Sequence, residues 1–488
     1  MIDTLSWLTL AVILTPLAGA AAVLLFGLRY PRSGWPITVV TLVGTSLLAV
    51  PLVTTTWRDP VRFTIGGVPS YYGIELVADG VSSVFVILTL LIVLGAVAHL
   101  RQAGPRGSAV HGGILLLTGG TLGIVLAGDL FNLYVFLEIS AIASYALIAS
   151  AKSRVSTYAA FKYLLLATLG ASLYLLGVAY VFIATGTLNM AVASETMAAV
   201  GYTNPVVVAS FVFIGVGLAI KIALVPLHTW LADAHAAAPD AISAIVSGLL
   251  PAIGVYAIAR VALSVYSVDF FIANPIFELL LLISGLLTVL GGSIFALLQQ
   301  RIKLLLAYST VAQMGLAVVG VALATETSVY GATIHLLGHG IVKAALFLLA
   351  GIFALLYGAK RLDHYAGLGK RSPYLAGAFA VLGVSLIGLP PTVGFMGKYY
   401  IVLGAVERGS WLVAVLLLAS TLLTVAYIIP IIDRLYFHSY EGPVPQRREL
   451  PHGSAVAVGA AVVLAIGIGA VTVPIGDLVT PAIEVMVR

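Results

Sequence analysis

Runs of about twenty apolar residues, separated by short polar links, recur along the whole chain, and each is long enough to cross about 30 Å of hydrocarbon at 1.5 Å per residue. The pattern predicts fourteen helices, over 5–29, 35–56, 77–99, 110–129, 131–151, 158–184, 204–227, 239–264, 275–298, 302–323, 329–357, 373–403, 411–437 and 453–476. The expected fold class is therefore an all-α polytopic membrane protein, with no stretch left over for a soluble catalytic domain. The first run opens on Met-Ile-Asp, without a basic segment or a small-residue cleavage site, and is expected to be a retained helix.

Two of these helices contain breakers: the seventh at Pro226, and the twelfth at Gly388, Pro390, Pro391 and Gly394. Proline removes a backbone donor and clashes with the preceding turn, so both should kink or unwind. In lipid a broken backbone survives only where protein or a watery cavity satisfies it. Each break lies near a lysine, Lys221 before Pro226 and Lys398 after Pro391. Interruptions at matching places in two halves are the trace of an inverted repeat with its site near the midplane. The chain then divides into N-terminal helices (1–109), a first repeat (110–264), a second repeat (275–437) and a C-terminal part with the last helix (438–488). Prolines are also common in membrane helices generally, which is the plainer reading of the breaks.

Charge sharpens the picture because there is so little of it. The 488 residues are 61% hydrophobic and 9% charged, against roughly 25% charged in a soluble domain. Of the 24 Lys and Arg, fifteen fall in links after odd-numbered helices, including Arg301, Lys303, Arg447 and Arg448. Four, Arg58, Arg62, Arg260 and Arg408, fall after even-numbered ones. The excess of positive charge on the inner side places the odd links in the cytoplasm and both termini outside. The net charge of +5 thus sets topology and does not call for a nucleic acid partner. Cysteine is absent, which excludes iron–sulfur clusters, thiolate zinc sites and disulfides borne by this chain. With no dinucleotide fingerprint and no Walker loop, neither a redox cofactor nor ATP is expected here.

A charge at the centre of a membrane helix costs about 2.5–3.5 kcal/mol on the insertion scale, so it is kept where it meets a partner or water. Glu138 stands in an apolar stretch with no local base, and Lys221 follows a long apolar run with no local acid. Mutual pairing is the simplest way to bury both, and a purely structural ion pair would account for them as well. His335, His339 and Lys343 recur at i, i+4 and i+8 on one stripe of the eleventh helix. Such a ladder suits proton relay by imidazole and a buried amine, although helix-packing contacts explain it too; metal binding is not expected without a nearby carboxylate. Lys162, near the start of the sixth helix, can snorkel to the interface or take part in transport. Asp129 and Asn132 should cap the fifth helix. His228 and His235 flank Trp230 and Asp233 in the link after the seventh helix, as interfacial anchors or as a proton entry. An intramembrane transferase with Glu138 or Asp129 as base would need paired exposed carboxylates and a large outer loop, and the segments 56–76 and 185–203 offer few candidates.

Five ordered motifs carry a resemblance. The segments Asp129–Glu138, Lys221–His235, Lys303–Gln313, His335–Lys343 and Gly388–Lys398, with Gly73–Gly80 ahead of the third helix, resemble the antiporter-like subunits shared by Mrp cation/proton antiporters, respiratory complex I and membrane-bound hydrogenases. The resemblance implies fourteen helices with two inverted five-helix repeats, broken seventh and twelfth helices, and a hydrated charged axis at the membrane centre. It implies Glu138 and Lys221 as the interacting pair of a first half-channel, Lys343 with the nearby histidines as central relay, and Lys398 as the terminal lysine of a second. A lysine in the twelfth helix, and a chain expected to end soon after the fourteenth, suit a D-type Mrp sodium/proton antiporter subunit. A proton-pumping subunit of a complex I-like quinone oxidoreductase or a membrane-bound hydrogenase is the alternative. Either implies a non-enzymatic ion-transport subunit in a prokaryotic plasma membrane, with other membrane subunits as partners and protons and sodium as the ions. There is one departure. Ala252, before Gly254-Val-Tyr256, stands where most members of the family carry a lysine. Water, Ser247 and His335 or His339 are expected to bridge the gap; a modified or uncoupled subunit is the alternative.

Overall fold

The helices follow the apolar runs closely. The computed structural model describes residues 5–57, 59–440, 450 and 452–487; Arg58, Arg447, Arg448 and Arg488 of the charge count lie outside the described residues. In chain order the helices are α1 (Trp7–Arg29), α2 (Gly34–Thr56), α3 (Gly80–Leu100), α4 (Ser108–Leu126), α5 (Leu130–Ala149), α6 (Arg154–Thr185), α7 (Met190–Val200), α8 (Pro205–Lys221), α9 (Leu231–Ala237) and α10 (Asp240–Ala259). They continue as α11 (Ser267–Ala273), α12 (Pro275–Leu297), α13 (Ile302–Ala322), α14 (Glu326–Tyr357), α15 (Leu368–Arg371), α16 (Pro373–Ile387), α17 (Val393–Glu407), α18 (Trp411–Phe437), α19 (His452–Ala470) and α20 (Thr472–Val487). Twelve described helices are long and apolar enough to cross a membrane. Four more form two broken pairs, α8 with α9 and α16 with α17.

Their starts are written in short polar side chains. Asp79 with Ser82, Ser153 with Ser156 and Thr325 with Ser328 each exchange reciprocal hydrogen bonds at the beginnings of α3, α6 and α14, which satisfies donors that a helix start leaves free. The breaks occur where proline and glycine forbid a continuous ladder. α8 stops at Lys221, and the chain runs through Ala223 at φ +60° and Pro226 before α9. α16 stops at Gly388, with φ +90°, ahead of Pro390 and Pro391. Val225–Pro226 and Pro390–Pro391 are cis.

The interior belongs to α4, α10, α13 and α14. Over their most apolar stretches 89%, 100%, 89% and 83% of residues are buried, against 33% in α2, α12 and α18 and 22% in α19. Polar side chains within these buried stretches of α10, α13 and α14 are therefore walled off from lipid by other helices. Small residues let these helices approach closely. Gly397 is one: a Cβ there would stand 2.6 Å from the Cα of His335, so glycine is what lets α17 rest directly on α14.

Three elements depart from the predicted pattern. The segment expected as a loop at 56–76 carries a strand, β1 (Val61–Thr64), paired antiparallel with β2 (Glu75–Ala78) in the register Val61 to Ala78. The expected loop at 185–203 contains α7, capped by Asn189. The final helix, expected to end at 476, is two helices, with Val471 between them and Pro474 in the first turn of α20. α20 is amphipathic, burying Leu478, Val479, Ile483 and Met486, and Asp477, Pro481 and Glu484 interrupt the apolar run that would have revealed it.

Gly397→Val should overpack the α14–α17 contact at a cost of about 1–3 kcal/mol. A lower thermal midpoint of the purified complex is expected, and an unchanged midpoint would contradict the close approach.

Candidate functional site

Each intramembrane lysine has been met by oxygen. Lys221 closes the last turn of α8 and donates to Glu138 Oε1 of α5 at 2.7 Å, with the lysine side chain 7% and the carboxylate 24% exposed. Lys343, completely buried on α14, donates to the Leu306 carbonyl at 2.8 Å and to the Ser309 hydroxyl, both on α13. Lys398, on α17, reaches back across the break to the Leu386 and Ile387 carbonyls at 3.2 and 2.8 Å. Those are the terminal carbonyls of α16, which the break deprives of intrahelical donors. The break in α8 is handled in a related way, since the Trp230 indole donates to Ile220 O at 2.9 Å.

Between Lys398 and Lys343 lie two histidines, His335 towards the Gln313 backbone and His339 towards the Ser247 backbone. The rings of His335 and His339 are 6.4 Å apart, and among the described residues no hydrogen bond of full geometry reaches their four nitrogens. They share a small cavity of about 10 Å³ with Gln313 of α13 and Ser385 of α16, the room of a single water. Electrostatically His335 feels Lys398, and His339 feels Lys343, His335 and His235. The stripe thus carries one polar side chain per turn from His335, at the level of Lys398, to Lys343.

It is not continuous to Lys221. A Cβ on Gly254 would touch Ile222, beside Lys221, and one on Gly248 would touch Gly340 O, beside His339. α10 therefore spans the interval between the two groups. From Gly248 to Val255, Ala252 included, it has no polar side chain. Ser247, at the near end, bonds the Thr310 hydroxyl at 3.0 Å.

The remaining candidates cluster at the ends. Lys162 does not merely snorkel: it bonds Asp233 Oδ2 at 2.8 Å and Thr229 O at 2.6 Å, tying α6 to α9 and to the link before it. His228 stacks on Phe295 at 5.5 Å, while His235 is wholly buried against Trp230 and Phe347. Asp129 caps α5 through Asn132 N at 2.7 Å, but its second oxygen is unpartnered among the described residues, and burial pushes the carboxyl up to about 6. Several ion pairs escaped sequence reasoning because their bases were assigned to topology, among them Arg408 with Glu278 at 2.7 Å and Arg62 with Glu75 at 3.5 Å. Lys303 pairs with Asp240 at 3.1 Å. Arg260 pairs with Asp79 and bonds Tyr256 Oη, beside an open cavity of about 430 Å³ on the face of the hairpin and α20. Among the described residues, no three of His, Asp or Glu converge to hold a metal ion.

The family model for NADH:quinone oxidoreductase/Mrp antiporter transmembrane proteins matches residues 127–424. The chain belongs to this family. The N-type subunit of the NADH-quinone oxidoreductase of Desulforudis audaxviator is 37% identical over 485 residues, 95% of each chain. The D-type subunit of the Na(+)/H(+) antiporter of Bacillus subtilis is 31% identical over 421 residues, 86% of this chain and 84% of its own. A chain of the Mrp complex from Dietzia superposes with a TM-score of 0.90 at 26% identity, over 99% of this chain and 98% of that one. The family membership covers both broken pairs and every lysine of the ladder.

Replacing Asp129 with Asn keeps a capping oxygen and removes the buried charge. A carboxyl raised from 3.8 to about 6 stabilises the fold only below its unfolded value, and that stability is lost as pH rises through 6. The thermal midpoint of Asp129→Asn should therefore exceed that of the parent at pH 8 and converge with it towards pH 4. Equal shifts at both pH values would show that the carboxyl is not the cause.

Proposed function

We propose that the chain translocates protons as an antiporter-like subunit of a multisubunit membrane complex. Glu138 and Lys221 form the first pair, Lys343 with His335 and His339 the central relay, and Lys398 the terminal site. The observation that carries this reading is the ladder itself, in which two lysines held only by neutral oxygens are joined by two histidines free to accept and release protons. Each broken pair crosses the membrane once, which gives fourteen crossings, with repeats over 110–264 and 275–437. The basic face is cytoplasmic and both termini lie outside, in the plasma membrane of a prokaryote. Ser247 and water extend the relay towards the apolar interval at Ala252.

The finer reading is a D-type subunit of an Mrp sodium/proton antiporter, supported by the Bacillus relative and by the near-complete superposition on a chain of an Mrp complex. A redox-driven complex is a second reading, favoured by the 37% identical relative named as a quinone oxidoreductase subunit. In either, any redox centre belongs to partner subunits, and this chain supplies the ion path.

Lys221→Ala should abolish transport in everted vesicles while the complex still assembles, as judged by co-purification of its partner subunits. Transport at the parent rate would remove Lys221 from the path. The parent complex decides between the two readings: a pre-formed pH gradient collapsed by added sodium marks the antiporter, whereas a gradient built only on adding an electron donor marks the redox complex.

A further inference from the structure

Two cavities lie one above the other along α3 and α19. At the basic end, Arg101 and Gln102 after α3, Trp35 of α2 and His452 at the start of α19 line a space of about 310 Å³. Deeper in the membrane, Leu91 and Gly95 of α3, Ile341 and Ala344 of α14, and Ala460 and Leu464 of α19 line a slot of about 160 Å³, in which every residue is apolar or glycine. The slot opens sideways, where Leu91 and Ala460 are exposed along with Ile87, Val456 and Val463 of the same outer face.

The two spaces belong to one groove. α3 and α19 run antiparallel and touch along it: a Cβ on Gly453 would collide with Ala98 O, and one on Gly95 would meet the Ala457 Cβ at 3.5 Å. His99 and Ser454 pin the contact with a hydrogen bond of 2.7 Å. Leu91, Gly95, Ala98 and Gln102 recur at i, i+4, i+7 and i+11, so a single face of α3 leads from the slot to the upper cavity. From Arg101 to Leu91 the chain descends about 15 Å, half of a hydrocarbon core of about 30 Å. An occupant of both spaces thus has a polar end at the interface and an apolar end inside one leaflet.

Charge decides which polar end. The guanidinium of Arg101 lies over the Trp35 ring, 4.9 Å from its centroid, and the indole donates to Val97 O at 3.0 Å, so the ring is fixed and holds the cation at the cavity. The links 29–33 and 101–107 contain Arg29, Arg32, Arg101 and Arg106 and no acidic residue. None of the four arginines has a carboxylate partner among the described residues. Unpaired guanidinium at a membrane interface attracts phosphate. The slot excludes a partner helix, which is about 10–12 Å across; an acyl chain is the slender apolar shape that a bilayer supplies.

We propose that the groove between α3 and α19 binds one anionic phospholipid of the basic-face leaflet, its phosphate at Arg101 and His452 and one acyl chain in the slot against α14. At 100° per residue, Ile341, Ala344, Ala345 and Leu348 lie on the side of α14 opposite Lys343. The chain therefore completes the packing of this helix where two alanines leave it thin, on the side that α13 does not cover. The site stands whether or not the chain conducts protons.

The test uses the whole complex, purified in neutral detergent and mixed with phosphatidylglycerol or phosphatidylcholine, each carrying a photoreactive group midway along one acyl chain. Peptide mapping should find phosphatidylglycerol on residues 91–95 or 457–464 about fivefold more than phosphatidylcholine, the scale of one arginine near an anionic headgroup. Unlabelled phosphatidylglycerol should compete, and inorganic phosphate at the same concentration should not. Arg101→Gln should remove most of the preference. Gly95→Leu, at a position with room for a Cβ, should fill the slot and abolish labelling of 457–464 while partner subunits still co-purify. Equal labelling by the two lipids overturns the anionic headgroup, and displacement by inorganic phosphate overturns the lipid as ligand. Unchanged labelling in Gly95→Leu overturns the place of the chain. Label found only elsewhere on the complex shows the groove covered by a partner subunit and overturns the site. If Gly95→Leu fails to assemble, Arg101→Gln, at an exposed side chain, decides alone.

Discussion

An ammonium group inside hydrocarbon has to be met by oxygen, and a carbonyl freed from its helix has to be met by a donor. In this chain the two requirements answer each other. The break after α16 exposes the Leu386 and Ile387 carbonyls, and Lys398 satisfies them from the next half-helix. Neither feature would be stable without the other: a continuous helix would leave the lysine without these oxygens, and an apolar residue at 398 would leave them without a donor. Lys343 borrows Leu306 O and Ser309 from α13 instead, which requires α13 and α14 to be held together in the interior. The burial of α10, α13 and α14 behind helices such as α12, α18 and α19 is the architecture that this demand imposes.

The same cost explains what could be read in advance. A charge in a long apolar run is conspicuous because it is expensive, so Glu138, Lys221, Lys343 and Lys398 stand out from composition alone, and the prolines beside two of them mark the breaks. Pairing of Glu138 with Lys221 follows because each lacks a local partner. Lys303, Asp240, Arg260 and Asp79 are hidden by their position at span ends, where a basic residue is ordinarily a topology signal. Their pairings join residues 63 and 181 positions apart, and only the packing of α10 against α13 and α3 reveals them. The hairpin, α7 and α20 escape for another reason. They are short or amphipathic elements at the face, and neither their length nor their apolar content reaches that of a span.

The lysines are not equivalent in charge. Lys221 and Glu138 together are neutral when both are ionised, so the pair can sit in the interior with its field largely cancelled. Lys343 and Lys398 are held by carbonyls and a hydroxyl, which lower the cost of a positive charge without cancelling it. Their levels on α14 differ by about two turns, roughly 12 Å, and at an effective dielectric of about 20 two positive charges at that distance repel by on the order of 1.4 kcal/mol. At that separation a charge on one disfavours a charge on the other. In the proposed relay a proton arriving at Lys343 would promote release from Lys398, with His339 and His335 between them as neutral carriers. That push acts undiminished only between sites without a carboxylate partner, so the two lysines of α14 and α17 differ in kind from Lys221, whose charge Glu138 balances at 2.7 Å.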